Sequence, residues 1–293
     1  MKKRTFRRWS NDPPVLRDLL VARLELTRAD AAGLVERGSV YVGSVRATDP
    51  SAAIAVGNKL TVHVAPAAAA PPIDVIYHDS DLAIVEKPPG LPSQPEPGQH
   101  VFCLSAAATR DLGADARLMH RLDKDASGLV LVALHKTAYA PLQQLLAEHT
   151  VDRRYLAIVR GQLVGDGTIR KRIGRHRRDQ RLRAPFPEDA TAGDAATTRY
   201  RVLAHGTLER EEVTAVEVQL DTGRTHQIRV HLSSLDHPIV GDTAYGGPPF
   251  ERMCLHAYAL ELPHPRSGRP IRASARVPDA FARLVPGLTS PFT

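Results

Sequence analysis

Residues 120–134 read HRLDKDASGLVLVAL, so a charged segment, His120 to Ser127, leads directly into the apolar run Gly128 to Leu134. An apolar run of this length predicts a buried strand. Loops that leave or enter the strands of a rigid sheet are where catalytic groups collect. We therefore expect Asp123, a possible nucleophile, to lie on a loop that enters the core of the protein.

A second polar cluster, TGRTHQIRVH, occupies residues 222–231. The i, i+4, i+7 spacing of Ile228, Leu232 and Leu235 predicts a helix over residues 225–235. Helical spacing puts His226 and Arg229 at i and i+3, on one face. A cation beside Asp123 keeps that carboxyl ionised, but the spacing alone equally allows a structural Arg–Asp ion pair.

Four segments are predicted along the chain. Residues 1–14 form a flexible basic tail, and residues 15–65 a small domain of two helices followed by strands. Residues 66–72 are an alanine- and proline-rich linker. From residue 73 to residue 293, strands and helices interleave without a regular βαβ rhythm, which favours an α+β fold.

The charge of the chain indicates a polyanionic partner, nucleic acid first. The net charge is +7, and positive charge is concentrated in residues 1–14, with a net +4, and residues 170–183, with a net +7. Such segments either contact phosphates or form solvated faces. The candidate phosphate contacts in the second segment are Arg170, Lys171, Arg172, Arg175, Arg177 and Arg178.

Several classes of function are disfavoured. Cys103 and Cys254 lack CxxC spacing, so neither a disulfide framework nor a cysteine zinc site is indicated, and a reducing cytoplasm fits. His226 and His231 are five residues apart, which does not match a helical metal pair, so we predict no metal. No nucleotide-binding fingerprint appears in the sequence, and we expect neither a signal peptide nor a membrane span. A cofactor-free isomerase or lyase is favoured over a redox or ATP-driven enzyme.

The motifs resemble those of the RluA-type pseudouridine synthase family, in the family's order. His120 to Leu129 resembles its HRLDxxTSGL signature, and Thr222 to Leu232 its TGRTHQIRVHL element. The remaining matches are EKPPGL at 86–91, RYLA at 154–157, PIVGD at 238–242 and LHA at 255–257. The resemblance covers roughly residues 73–265, and residues 15–65 are similar to an αL-type RNA-binding module of ribosomal proteins.

The resemblance implies that the protein converts uridine in RNA to pseudouridine without a cofactor. Asp123 matches the catalytic aspartate, which either attacks the anomeric carbon or stabilises charge there, and Arg229 matches its basic partner. Tyr155 matches a tyrosine that stacks on the base or moves a proton. Arg121 matches a residue associated with opening the RNA, and Arg224 is expected to contact the substrate.

The implied catalytic domain has a mixed, largely antiparallel sheet with flanking helices, preceded by a small α/β module. Ala126 stands where the family usually has threonine, so one hydroxyl is missing from the catalytic loop. Asp123, Ser127 and Gly128 are retained, so we expect activity.

The αL-like module favours ribosomal over transfer RNA as the substrate. A tRNA-directed synthase and a non-catalytic RNA-binding or ribosome-assembly factor remain alternatives, and a metal-dependent nuclease is disfavoured by histidine spacing. We expect a monomer in the cytoplasm, with no membrane partner.

Overall fold

Two compact units make up the chain. A computed structural model describes residues 2–36, 38–64, 70–95 and 102–289. The first unit comprises Met1–Pro72 and Pro92–Asp111, and the second comprises Ile73–Leu91 and Leu112–Thr293.

A four-stranded antiparallel sheet, backed by two helices, forms the first unit. Its elements are β1 (Lys2–Arg7), α1 (Leu16–Leu24), α2 (Arg28–Glu36), β2 (Val40–Val42), β3 (Val45–Arg46) and β4 (Lys59–Val64), and α3 (Leu104–Leu112) begins in it. The strand order is β1-β4-β2-β3. Leu16, Leu19 and Leu20 recur at helical spacing and are fully buried against Leu60 and Val62 of β4.

The N-terminal segment corrects the expectation of a flexible tail over residues 1–14. Strand β1 pairs with β4 along its whole length, from Lys2 opposite Val64 to Arg7 opposite Lys59. Phe6 packs against the core of the unit. The small domain therefore begins before residue 15, because its edge strand is stabilised by pairing with a distant segment that local composition does not reveal.

The predicted linker over 66–72 lies mostly outside the described residues, which omit 65–69. The described end of the linker is held in place, because the Arg110 guanidinium donates to the carbonyls of Ala70 and Pro71 at 2.7 and 3.1 Å. The second unit begins at Ile73, where we predicted the catalytic domain to begin, but residues 92–111 group with the first unit.

An eleven-stranded sheet forms the second unit. Its elements are β5 (Asp74–His78), β6 (Leu82–Lys87), β7 (Arg117–Leu118), β8 (Ser127–Ala133), α4 (Lys136–Ala147), β9 (Asp152–Arg160), β10 (Gly167–Arg175), β11 (Arg183–Phe186), β12 (Asp194–Leu208), β13 (Glu211–Leu220), α5 (Gln227–Ser233), a 3₁₀ turn (Thr243–Tyr245), β14 (Leu255–Pro263), β15 (Pro270–Ser274) and α6 (Asp279–Leu284).

The strand order of this sheet is β11-β10-β12-β13-β9-β14-β8-β6-β5, with β15 beside β14 and β7 beside β8. The pair β14–β8 is parallel, and the other assigned strand pairs of the sheet are antiparallel. The α+β fold, with a mixed and largely antiparallel sheet flanked by helices, is thereby confirmed.

Strand β8 is the predicted apolar strand, and every one of its residues is buried. Leu129 and Leu131 pack with Ile84 of β6 and with Leu142 of α4. Because β8 is fixed between β14 and β6, the loop that ends at Ser127 enters a rigid part of the sheet. This placement fixes the position of Asp123.

Gly128 is required by the close approach of β8 and β14. Its φ is +110°, and a Cβ at this position would lie 2.2 Å from the Ala257 carbonyl oxygen. We predict that Gly128→Ala lowers the free energy of unfolding by about 3 kcal/mol, measured by urea denaturation. Gly268→Ala is the control, since Gly268 also has a positive φ but has open space around it, and about 1 kcal/mol is expected there. Equal losses in the two variants would contradict the steric argument.

Among the helices that the structure describes, none combines the length and apolar character needed to cross a bilayer.

Candidate active site

Asp123 lies in an open pocket of about 390 Å³ beside the sheet of the second unit. Its side chain is 17% exposed, and its Oδ2 accepts a hydrogen bond from Arg229 Nη1 at 3.2 Å. The carboxylate is therefore accessible to a ligand on one side and held by a cation on the other.

Arg229 of α5 is itself held by a second, buried carboxylate. Its Nε and Nη2 donate to Oδ2 and Oδ1 of Asp242 at 2.7 and 2.9 Å, and Asp242 is 2% exposed. The guanidinium also lies 4.7 Å from the centre of the Tyr245 ring. Burial alone lowers the pKa of Arg229, but its bonds to Asp242 and Asp123 outweigh burial and raise it above its usual value. A fixed positive charge therefore faces Asp123.

His226 faces the other oxygen of the carboxylate. Its Nε2 lies 3.9 Å from Asp123 Oδ1, and its Nδ1 lies 2.8 Å from the Tyr245 hydroxyl. The predicted helix over 225–235 is shorter than expected, because His226 has left-handed backbone angles (φ 58°, ψ 22°) and the helix begins at Gln227. His226 reaches Asp123 from the residue before the helix, whereas Arg229 reaches it from the first turn.

Tyr155 of β9 forms part of the pocket wall and is 5% exposed. Burial raises the pKa of its hydroxyl, so the phenol is neutral near pH 7. Ile228 and Leu255 also line the pocket. An aromatic ring with apolar neighbours beside a carboxylate suits a planar base next to the sugar that carries it.

Arg121 and Arg224 are exposed and line the same pocket. The Arg224 side chain is anchored through Nε, which donates to the Ala195 carbonyl at 3.2 Å. The structure therefore brings together all three predicted catalytic residues and these two predicted RNA contacts.

Lys87 of β6 secures the loop that carries Asp123. Its buried ammonium donates to the carbonyl oxygens of Pro88, Leu91 and Lys124 at 2.8, 2.7 and 2.8 Å. Burial lowers the pKa of Lys87 to about 7, and the three acceptors use all three N–H groups of the protonated form. Ala126, which stands where the resembled signature has threonine, is buried in the pocket wall.

The six predicted phosphate contacts on β10 and the turn after it differ in their surroundings. Lys171 Nζ donates to the Ser234 carbonyl at 3.3 Å, and Arg172 Nη2 donates to the Gly193 carbonyl at 2.8 Å, so both side chains are half-buried structural ties. Exposed side chains are presented to solvent by Arg170, Arg175, Arg177 and Arg178. The bonds of Lys171 and Arg172 to distant backbone carbonyls produce this split, which a count of charges does not show.

Sequence reasoning assigned no role to Asp242, Tyr245 or Lys87. Asp242 and Lys87 lie within quoted motifs, but no spacing links either residue to Arg229 or to the Asp123 loop. The contacts of Asp242 and Tyr245 arise because the chain after α5 turns back over the helix, with the Ser233 hydroxyl bonded to the Tyr245 carbonyl at 2.9 Å. Lys87 reaches the Asp123 loop because β6 pairs with β8. A signal for these residues exists only in the folded chain.

A separate group of Asp79, Asp81 and His264 has atoms of the kind that bind metals. The Asp81 carboxylate is already paired with the Arg266 guanidinium, and His264 Nε2 lies 3.2 Å from Asp79 Oδ2. Because Arg266 is paired with Asp81, ion pairs and hydrogen bonds explain why these three side chains lie close together.

Comparison with known proteins gives consistent matches. The model of the RNA pseudouridylate synthase family matches residues 81–234. A relative in Xanthomonas campestris, ribosomal large subunit pseudouridine synthase D, is 42% identical over 239 residues, which are 74% of this chain and 70% of the relative. In Bacillus subtilis, the uncharacterized RNA pseudouridine synthase YjbO is 36% identical over 224 residues, 74% of this chain and 76% of that protein.

Among solved structures, human RNA pseudouridylate synthase domain containing 1 matches with a TM-score of 0.62 and 28% identity. The match covers 74% of this chain and 90% of the human chain.

Proposed function

The chain belongs to the RNA pseudouridylate synthase family, and we propose that it isomerises uridines in folded ribosomal RNA, with Asp123 as the catalytic carboxylate. The observation that carries this proposal is the position of Asp123, which is exposed to the pocket and bonded to Arg229 at 3.2 Å. The reaction breaks the bond between C1′ and N1 of uracil and forms a bond between C1′ and C5. N1 gains a proton and C5 loses one, so no oxidant, reductant or cofactor is needed.

The reaction requires the ionised form of Asp123. Whether the carboxylate attacks C1′ or stabilises positive charge there, it acts as an anion. Arg229 binds Oδ2, which leaves Oδ1 directed toward His226 and the pocket. We assign Oδ1 as the oxygen that faces the sugar.

Tyr155 and Arg121 serve the base and the RNA. The Tyr155 ring stacks on uracil, and its neutral hydroxyl is a source and acceptor of a proton during the exchange at N1 and C5. A uridine in a folded RNA must leave its stack, at a cost of a few kcal/mol. Arg121, exposed at the pocket, fills the space that the base vacates.

The choice of ribosomal RNA rests on the relatives, since the Xanthomonas campestris protein is named a ribosomal large subunit synthase. The positive charge of residues 1–14, a net +4, would suit an additional contact with structured RNA. Transfer RNA is the competing substrate. We further propose that the enzyme acts as a monomer, because the pocket is built from residues of one unit of one chain. A cytoplasmic location is also proposed, since the two cysteines are free and buried.

Tritium release from RNA labelled at uracil C5 tests the activity directly, because C5 loses its hydrogen in the reaction. Purified protein is incubated with labelled ribosomal RNA transcripts and, in parallel, with labelled transfer RNA. We expect release from the ribosomal transcripts. Tritium release from transfer RNA alone would show that ribosomal RNA is not the substrate. Release from neither RNA, with RNA still bound, would favour a non-catalytic RNA-binding factor.

The exposed arginines after β10 give a separate prediction about RNA affinity. In the part of the chain that the structure describes, the Arg177 and Arg178 side chains form no ion pair. Replacing both with alanine is expected to weaken RNA binding and to reduce the slope of log Kd against log salt by about 0.7–0.9 per lost phosphate contact, measured by filter binding.

Arg172 offers the matched control for this experiment. Its guanidinium is bound to the carbonyls of Ala192 and Gly193, so Arg172→Met should leave the salt slope unchanged. If the double variant had the same slope of log Kd against log salt as the wild type, Arg177 and Arg178 would not contact phosphates.

A further inference from the structure

Tyr245 contacts both His226 and Arg229. Its hydroxyl lies 2.8 Å from His226 Nδ1, and its ring meets the His226 ring edge to face at 5.7 Å. The same ring lies under the Arg229 guanidinium. Tyr245 therefore contacts both groups that face the two oxygens of Asp123.

The direction of the hydrogen bond between Tyr245 and His226 follows from a second contact. The Tyr245 hydroxyl oxygen accepts a hydrogen bond from the Arg183 backbone N–H at 2.8 Å. The hydroxyl has one proton to donate, and His226 Nδ1 is the acceptor found for it among the described residues. The donated proton occupies the lone pair of Nδ1, so the ring's own proton lies on Nε2.

This arrangement has a consequence for Asp123. A neutral imidazole with its proton on Nε2 presents a donor toward Oδ1, 3.9 Å away, and catalytic hydrogen bonds of this kind shorten when substrate is bound. An imidazolium at the same position would pair with the carboxylate and weaken it as a nucleophile. Burial lowers the pKa of His226 despite the nearby carboxylate. The charged groups that face it are Asp123, Arg183, Arg229 and Asp242.

The backbone of His226 also points to a specific role. It is one of five non-glycine residues with a positive φ among those that the structure describes, at 58°, a conformation that L-residues avoid. Strained residues that persist beside an active site are often held there for function. Here the strain places the imidazole between Tyr245 and Asp123.

We infer that Tyr245 is a positioning residue that fixes the tautomer of His226, so that His226 presents a neutral Nε2–H to the catalytic carboxylate. This inference rests on the proposed role of Asp123. The inference gives Tyr245 and His226 a part in the reaction. The hydrogen bond from the Arg183 backbone N–H to Tyr245 connects the pocket to β11.

Nitrogen-15 NMR of the histidine side chains tests the tautomer, with the His226 signal assigned from its loss in His226→Gln. In the wild-type protein we expect a protonated Nε2 and an unprotonated Nδ1 that accepts a hydrogen bond. In Tyr245→Phe the two tautomers should mix. A wild-type ring protonated on Nδ1 would overturn the inference, and the spectrum is independent of whether Asp123 is the catalytic group.

Kinetics test the consequence of the tautomer. Tyr245→Phe is expected to lower kcat about tenfold, the equivalent of one lost hydrogen bond, with KM for RNA unchanged. Tyr139→Phe is the control, because it removes a tyrosine hydroxyl bond to the Asp115 carbonyl outside the pocket. His226→Gln, which retains a side-chain N–H donor, should keep more activity than His226→Ala. Wild-type kcat in His226→Ala, or equal kcat in the two tyrosine variants, would overturn the inference.

Discussion

Replacement of Asp123 by asparagine is expected to reduce pseudouridine formation by at least about 10⁴-fold, the scale seen when a catalytic group of a concerted site is removed. The amide has almost the same shape as the carboxylate but no negative charge. It can neither attack the anomeric carbon effectively nor stabilise positive charge there. The measurement is tritium release from labelled ribosomal RNA under single-turnover conditions.

Binding and stability of this variant should be close to those of the wild type. The Asp123 side chain is partly exposed to the pocket, and an amide oxygen can still accept the bond from Arg229. Asp125→Asn provides the matched control, since Asp125 lies on the same loop and is exposed, and its activity should remain within a few-fold of wild type. An Asp123→Asn enzyme with substantial turnover would contradict the assigned role.

Replacement of Arg229 by methionine is expected to damage both stability and activity. The change removes both bonds to Asp242 and leaves that carboxylate buried, at 2% exposure, without its cation. Breaking a buried ion pair in this way costs about 3–5 kcal/mol. The loss of the cation that binds Asp123 should lower kcat by at least about 100-fold. Denaturant unfolding measures the change in the free energy of unfolding, and tritium release measures the change in kcat.

Two controls separate these effects. Arg199→Met breaks an exposed pair with Asp221, for which about 0–1 kcal/mol is expected. Adding Asp242→Asn to Arg229→Met removes the unpaired buried charge, so stability should partly recover while activity stays low. If Arg229→Met were no less stable than Arg199→Met, the buried pair would not have the importance that we assign to it.

The apolar pattern predicted the central strand of the second unit, since β8 lies where the run Gly128 to Leu134 occurs. It did not predict β1, because Lys2–Arg7 contains a single apolar residue, Phe6, and is stabilised by pairing with β4. Hydrophobic periodicity detects segments that bury side chains, whereas an edge strand is held largely by backbone hydrogen bonds. Its partner is distant in sequence.

The candidate site likewise contains residues that the sequence predicted and residues that it did not. The motif resemblance identified Asp123, Tyr155 and Arg229, which come from three different elements, and the structure places all of them around one pocket. Asp242 and Tyr245 were not predicted, because their role depends on how the chain folds back after α5. Similarly, charge counting treated Lys171 and Arg177 alike, although the first is bound to a backbone carbonyl and the second is exposed.

The account is tested most directly by mapping pseudouridines in ribosomal and transfer RNA from three strains: one with the wild-type gene, one with the gene deleted, and one expressing Asp123→Asn at the same level. We predict that one or a few ribosomal RNA uridines are modified in the first strain and unmodified in both others. An identical pseudouridine map in the first two strains, or full modification in the Asp123→Asn strain, would contradict it.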